Sequence, residues 1–269
     1  MKKLFALLLA LVMCLTLVAC GTAEEPASEG EAALTITEGV LTMGTNAAFP
    51  PYEFYDGEEI VGIDAEIAAA LAEKLGMSLE IIDMDFSSIV TSVQTGKVDV
   101  GIAGMTVTED RLENVNFTES YATGIQVVIV PEGSDITSVD DISTKLANGE
   151  QVLVGVQEST TGHIYAASSV EDGGYGEENV IAYTNGATAV EALNQGKVDC
   201  VIIDNEPAKA FVAANEGLKI LDTEYVVEDY AIAVAKENSA LLDALNTAMA
   251  ELTEDGTIQN ILDKYIPAE

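Results

Sequence analysis

Two charged residues stand where this sequence could do chemistry. Arg111, in "AGMTVTEDR", is the single arginine among eleven Lys and Arg residues. A surface charge elsewhere in the chain is met by lysine, so a lone arginine suggests work that a point charge cannot do. The guanidinium binds a carboxylate through two parallel hydrogen bonds and stays charged when desolvated. The alternative is a surface arginine paired with Glu109 or Glu113. Asp204 closes the apolar run "VDCVIID", where its carboxylate suits an ammonium group; the alternative there is an N-cap for a helix beginning "NEPAKAFVAAN". Together the two residues would clamp a zwitterion. Each is costly to bury alone, so the ligand's own charges would have to complete the site.

Both residues lie downstream of the same four letters. Gly96-Lys97-Val98-Asp99 and Gly196-Lys197-Val198-Asp199 stand one hundred positions apart, and each copy follows a helical pattern and precedes an apolar run. The repeat is read as a scaffold step, a helix ended by glycine and followed by a buried strand, used once in each of two similar units.

The elements around these steps give the architecture. "GVLTMGT" reads as a strand, "NAAFPPYEF" as a loop, and "DAEIAAALAEKLG" as a helix with Ile67, Leu71 and Leu75 on one face, Asp64 at its start and Gly76 at its end. "LEIIDM" is a strand, "SSIVTSVQTG" a helix capped at Ser87, and "KVDVGIAG" a strand. A second cycle runs through "EQVLVGVQ", the loop "ESTTG", a helix from about His163, "NVIAYT", "GATAVEALNQG" and "KVDCVIID". Strands alternating with helices predict an α/β protein with parallel sheets and helical crossovers. "GIQVVIV" and "YVVEDYAIAVAK" are extended, and two helices, "NSALLDALNTAMAELTEDG" and "TIQNILDKYI", close the chain. Two extended crossings would carry the chain out of one lobe and back, making a hinge. Ligands of open α/β sheets bind beyond the carboxyl ends of the strands, which directs attention to the loops 46–54, 103–111, 157–162 and 204–207.

Composition excludes other classes. A formal charge of −35 with only eleven Lys and Arg opposes nucleic-acid binding, which depends on neutralising phosphates. No Gly-rich phosphate loop is present, and no ligand set for zinc is discernible. Lys2 and Lys3 precede an apolar run that is short for a membrane span and closes on "LVAC", Leu17 to Cys20. This is an export signal over residues 1–19, and the closing letters look like a bacterial lipobox, with cleavage before Cys20 and lipid on its thiol. Residues 20–36 then form the lipidated cysteine and a flexible tether. Cys14 would leave with the signal, and Cys200 is read as a small buried hydrophobe in a strand. The chain is expected to be exported and lipid-anchored to the outer face of the bacterial cytoplasmic membrane, or on its periplasmic side.

Six separated stretches, "MGTNAAFPPYEF", "VGIDAEIAAALAEKLG", "MDFSSIVTSVQTGKVDVGIAGMTVTEDR", "VNFTESYA", "VGVQESTTG" and "IIDNEPA", together resemble the family 3 extracellular solute-binding proteins, the polar amino-acid receptors of ABC importers. The resemblance runs from about Leu41 to Tyr265. It implies the type II periplasmic-binding-protein-like fold: two lobes, each a mainly parallel sheet flanked by helices, joined by a two-strand hinge. Lobe 1 would comprise 37–123 and 230–269, lobe 2 124–229, with crossings near 122–128 and 226–232.

By the same resemblance, Arg111 binds the ligand α-carboxylate, assisted by Thr106 and by backbone at Ala103 and Gly104, while Asp204 takes the α-ammonium. Thr161 donates to the carboxylate across the cleft. Phe49 and Phe86 pack on the ligand side chain, and Asn46 and Gln157 read it. Asn46 replaces an acid found there in many relatives that take basic or amide side chains. The reading therefore favours a polar, uncharged amino acid such as glutamine, with cystine or a basic amino acid open because Glu53 or Glu158 could supply charge. The expected partners are that amino acid, an ABC permease and its ATPase, and the membrane through the lipid anchor; the protein is expected to be a monomer without cofactor or metal. The competing class is an enzyme of the cyclohexadienyl-dehydratase kind on the same fold. That chemistry needs a positioned general acid, and the single histidine, His163, is read as a surface or capping residue.

Overall fold

The structure, a computed structural model, describes residues 34–222 and 225–266. The signal, Cys14, Cys20 and most of the tether lie outside the described residues. In chain order the first part comprises β1 (Val40–Thr45), β2 (Ala48–Phe49), β3 (Glu53–Asp56), β4 (Glu59–Val61), α1 (Ile63–Lys74), β5 (Ser78–Asp83), α2 (Phe86–Gln94), β6 (Val100–Gly101), α3 (Glu109–Leu112) and β7 (Val115–Phe117). The second comprises β8 (Ala122–Pro131), α4 (Val139–Ala147), β9 (Val154–Gln157), α5 (Thr161–Ala167), β10 (Val180–Tyr183), α6 (Gly186–Asn194), β11 (Cys200–Asp204), α7 (Asn205–Ala214), β12 (Leu218–Ile220) and β13 (Val226–Tyr230). β14 (Ala233–Ala235), α8 (Ser239–Glu254) and α9 (Thr257–Tyr265) complete it.

Two sheets organise these elements. The first has the order β5-β1-β6-β14-β7, the second β10-β9-β11-β8-β12 with β13 also on β8. In each, one side is parallel (β5, β1, β6 and β10, β9, β11) and the other antiparallel. The sheets are thus mixed rather than mainly parallel. The reason is topological: helical crossovers return the chain in the same direction, whereas β14 and β8 enter directly from the other lobe and run the opposite way. The segments joining the sheets are paired, with Thr118 N donating to Ile232 O at 3.0 Å and Tyr121 N to Tyr230 O at 2.9 Å. Below them, β13 runs antiparallel to β8 from Val226↔Gln126 to Tyr230↔Ala122.

The repeated step is a register lock. Gly96 and Gly196 adopt φ of 66° and 67°, a left-handed conformation that glycine enters without a side-chain penalty, and Lys97 N and Lys197 N close the helix ends on Ser92 O and Ala192 O. The aspartates then tie each new strand to its parallel neighbour. Asp99 accepts from Thr42 N at 2.8 Å, Ile36 N at 2.7 Å and the Thr42 hydroxyl, and Asp199 accepts from Leu153 N at 2.7 Å. Downstream the strands are fully buried, Val100 and Ile102 in one lobe and Cys200 to Ile202 in the other.

Three local expectations change. "NAAFPPYEF" does not remain a loop: β2, β3 and β4 form a small antiparallel sheet, with strands too short to show period-2 alternation. α1 is preceded by Gly62, and Asp64 is not its cap. Asp64 is fully buried and accepts from Gly104 N at 2.7 Å and the Tyr121 hydroxyl at 2.9 Å, pinning a strand-end loop and a crossing together. α2 starts after Asp85, not Ser87.

Candidate functional site

The carboxyl ends of β1, β6, β9 and β11 converge on one cavity. Asn46 follows β1, Phe49 is in β2 and Phe86 opens α2; Ala103, Gly104 and Thr106 follow β6, and Arg111 is in α3. Gln157 ends β9, Thr161 opens α5 and Asp204 ends β11. All ten line the cavity, together with Glu53 and Thr160. The space between their side chains is about 10 Å³, on the scale of a single water, so groups from the two lobes meet directly. Cys20 lies outside the described residues.

Arg111 is buried to 8% exposure and turned inward. Local structure explains its aim: Thr108 Oγ1 accepts from Arg111 N at 3.2 Å and caps the single turn of α3. Nη1 donates to Thr106 O at 2.7 Å and Nη2 to Ser159 O at 3.0 Å, which belongs to the other lobe. The Phe86 ring lies 5.2 Å from Cζ, a cation–π distance, so Phe86 supports the arginine as well as lining the cavity. Burial lowers the guanidinium pKa, and the facing charges of Glu228 and Asp204 oppose that shift. Neither Glu109 nor Glu113 accepts from its guanidinium, whose donors go to Thr106 O and Ser159 O.

Asp204 occupies the N-cap position of α7, yet its side chain makes no capping bond. The carboxylate instead accepts from the Tyr230 hydroxyl. Burial raises its pKa to about 7, against the lowering effect of that hydrogen bond. Of the two acids considered as charge sources, Glu158 is exposed, whereas Glu53 is 1% exposed on the cavity wall. Neither carboxylate oxygen of Glu53 meets full hydrogen-bond geometry with a described residue, although the Asp64 carboxyl stands close enough to interact with it. Burial first, and then the charge of Asp64, push its pKa well up; burial raises Asp64 to about 6.

Aromatic packing shapes the remaining wall. Phe49 stacks on Tyr52 at 5.9 Å, and Tyr52 meets Tyr230 edge-on at 5.2 Å. Gly104, at φ 51°, lies under Phe49, where an added Cβ would fall 2.9 Å from the ring. Asn46 and Gln157 bridge the lobes: Gln157 Nε2 donates to Asn46 Oδ1 at 3.0 Å, and Asn46 Nδ2 to Met84 O at 3.0 Å. His163 does not line the cavity; its Nδ1 accepts from Ser159 N at 3.2 Å. Among the described residues no group of three or more His, Cys, Asp or Glu could hold a metal ion, and no helix is long and apolar enough to cross a membrane.

Sequence reasoning missed Glu228. It is 5% exposed on β13, and its Oε2 accepts from Thr106, Gln126 and Thr161. A signal was present: in "VVEDY" the strand alternation that buries Tyr230 also buries Glu228 and turns Asp229 outward.

Comparison with known proteins identifies relatives of this fold. The model of the bacterial extracellular solute-binding proteins, family 3, matches residues 41–268. The arginine-binding extracellular protein ArtP of Bacillus subtilis (strain 168) is 30% identical over 272 residues, with 100% of each chain covered. A solved structure of an ancestral arginine-binding protein bound to glutamine is 37% identical, with TM-score 0.77 over 86% of this chain and 100% of the other. A structure of an ancestral arginine-binding protein bound to arginine is 38% identical, with TM-score 0.77 over 85% of this chain and 99% of the other. The two mixed sheets, the paired crossings and the cavity at the strand ends therefore have a family: the chain belongs to the bacterial extracellular solute-binding proteins, family 3.

Proposed function

We propose that this protein captures a free α-amino acid in the cavity between its lobes and delivers it to an ABC permease. The observation that carries this reading is the pair Arg111 and Asp204, opposite charges from different lobes on the wall of one cavity. The arginine fork suits the α-carboxylate and Asp204 the α-ammonium. Phe49 and Phe86 supply apolar surface for the side chain, and Asn46 and Gln157 exchange their mutual hydrogen bond for bonds to it.

The side chain we propose is cationic. Sequence alone favours a neutral one; Glu53 shifts the balance. Burial and the neighbouring Asp64 favour the protonated form of Glu53 in the empty cavity, and a guanidinium or ammonium at that wall would stabilise its charged form and give its oxygens a donor. The arginine-binding relatives support the same choice. Export, anchoring through lipid on Cys20, and action as a monomer complete the proposal.

A thermal-shift screen of the twenty amino acids with cystine and ornithine tests it, since a ligand stabilises the folded state by mass action. Arginine or lysine should raise the melting temperature most. If no amino acid moves it, the reading fails; if glutamine moves it most, Glu53 accepts a neutral side chain and carries its own proton. Incubation with prephenate or arogenate addresses the enzyme alternative: no product is expected, and turnover would overturn transport as the function.

A further inference from the structure

We infer that Glu228 is a positioning residue that turns the hydroxyls of Thr106 and Thr161 into hydrogen-bond acceptors toward the cavity, so that the site selects its ligand by an α-ammonium group. This rests on the proposal that the ligand is an amino acid.

Where each hydroxyl proton points decides what the cavity presents to a ligand. Thr106 follows β6 in one lobe and Thr161 opens α5 in the other, and both line the cavity. Glu228 stands behind them on the crossing strand β13 and is not part of the wall. Its Oε2 accepts from Thr106 Oγ1 at 3.2 Å, from Thr161 Oγ1 at 2.9 Å and from Gln126 Nε2 at 3.0 Å. A hydroxyl has one proton and two lone pairs. Once the proton is given to Glu228, only lone pairs remain for the cavity.

Two such oxygens attract an N–H and repel a carboxylate. They would join Asp204 in holding the ammonium and leave the ligand carboxylate to the Arg111 fork. The hydroxyl proton of Thr161 is then not the one that reaches a ligand carboxylate, which refines the role expected from family resemblance. Because the three donors come from both lobes and a crossing, the arrangement is complete when the lobes are together, and the amine is read in that state.

Calorimetric titration of the full chain with L-arginine and with 5-guanidinopentanoic acid, the same molecule without its amine, tests the inference. The wild type should prefer arginine by at least about 100-fold, the discrimination expected where a buried polar site loses its partner. Thr161→Val should remove about tenfold of that preference by weakening arginine alone, and Thr161→Ser should restore it. Glu228→Gln, whose amide can donate to the threonines and reverse their protons, should also reduce the preference. If Thr161→Val weakens both compounds equally, the hydroxyl serves the carboxylate and the inference falls. If Glu228→Gln leaves the ratio unchanged, Glu228 only balances the charge of Arg111, and the inference falls as well. Should the Gln variant not fold, the Val and Ser pair decides alone. A wild type that binds no amino acid overturns the amino-acid reading itself. If glutamine is the preferred ligand, glutamine and its des-amino acid give the same comparison.

Discussion

At the scale of single residues the cleft combines one cation with several buried acids, and their chemistry is not interchangeable. Arg111 already spends donors on Thr106 O and Ser159 O, and a ligand carboxylate would use what its planar fork still offers. Arg111→Lys keeps the charge and loses the fork, so amino-acid affinity should fall by about 2 kcal/mol, roughly 30-fold, while the melting temperature of the unliganded protein changes little. Calorimetry showing wild-type affinity would remove Arg111 from the site. Asp204 gives a pH dependence. Burial lifts its carboxyl from 3.8 to about 7, so below that pH a proton competes with the ligand ammonium. Affinity should weaken as pH falls through about 7, approaching about tenfold per unit, and Asp204→Asn should bind weakly with a shallower profile, its remaining slope set by Glu53 and Asp64. The unliganded fold behaves oppositely. A raised carboxyl binds its proton more tightly folded than unfolded, so this contribution to stability is present below 3.8 and is lost as pH rises through about 7. A wild-type profile no steeper than that of the Asn variant would place the ammonium elsewhere.

At the scale of elements, the legible parts of the sequence were those with a local physical signature. The helix-glycine-strand steps, the buried Cys200 strand and the strand-end loops that carry Arg111 and Asp204 all follow from periodicity and helix termination. What local pattern does not encode is pairing across distance. The meander β2 to β4 escaped notice because its strands have two to four residues, and Asp64 passed for a helix cap because its partners, Gly104 and Tyr121, lie 40 and 57 positions away. Glu228 escaped for the same reason, since its partners Thr106 and Thr161 are 122 and 67 positions off. The repeated aspartates are a case where composition pointed at a residue and only the fold gave it work. Asp99 accepts two backbone N–H bonds and a hydroxyl in buried surroundings, whereas Asp199 accepts a backbone bond from Leu153 N in an exposed setting. Asp99→Ala should therefore cost about 2–3 kcal/mol and Asp199→Ala about 1 kcal/mol. Both aspartates sit at the start of their strands, opposite the cavity end, so ligand affinity should stay within about twofold. Urea unfolding that ranks the two variants the other way would overturn the assignment of Asp99 as the principal lock.

At the scale of the whole molecule, the question is how a cavity of about 10 Å³ admits an amino acid. Its walls belong to two lobes joined through paired crossings, and polar contacts span it: Gln157 to Asn46, Arg111 to Ser159 O, and the threonines gathered on Glu228. Each lobe has buried apolar packing of its own, around Ile89, Val93 and Met105 in the first and around Val128, Val154 and Ile202 in the second, and a further apolar cluster runs through both, from Leu41, Phe49 and Ile63 to Ile129, Ala189 and Phe211. Parting the cavity walls breaks polar contacts whose groups water can satisfy, while each sheet stays intact. Rotation about the crossings near Thr118 to Ala122 and Tyr230 to Ile232 is the motion this arrangement favours. A ligand that bridges Arg111 and Asp204 binds the closed state better than the open one, and that differential affinity is what shifts the population. Small-angle scattering should therefore show the radius of gyration falling when the preferred amino acid is added at saturation. Arg111→Lys should show no change at the same concentration and recover the change only at roughly 30-fold higher ligand. If calorimetry shows saturation of the wild type while the scattering curve stays fixed, closure is not the consequence of binding, and entry must proceed through side-chain rearrangement at Asn46 and Gln157 alone.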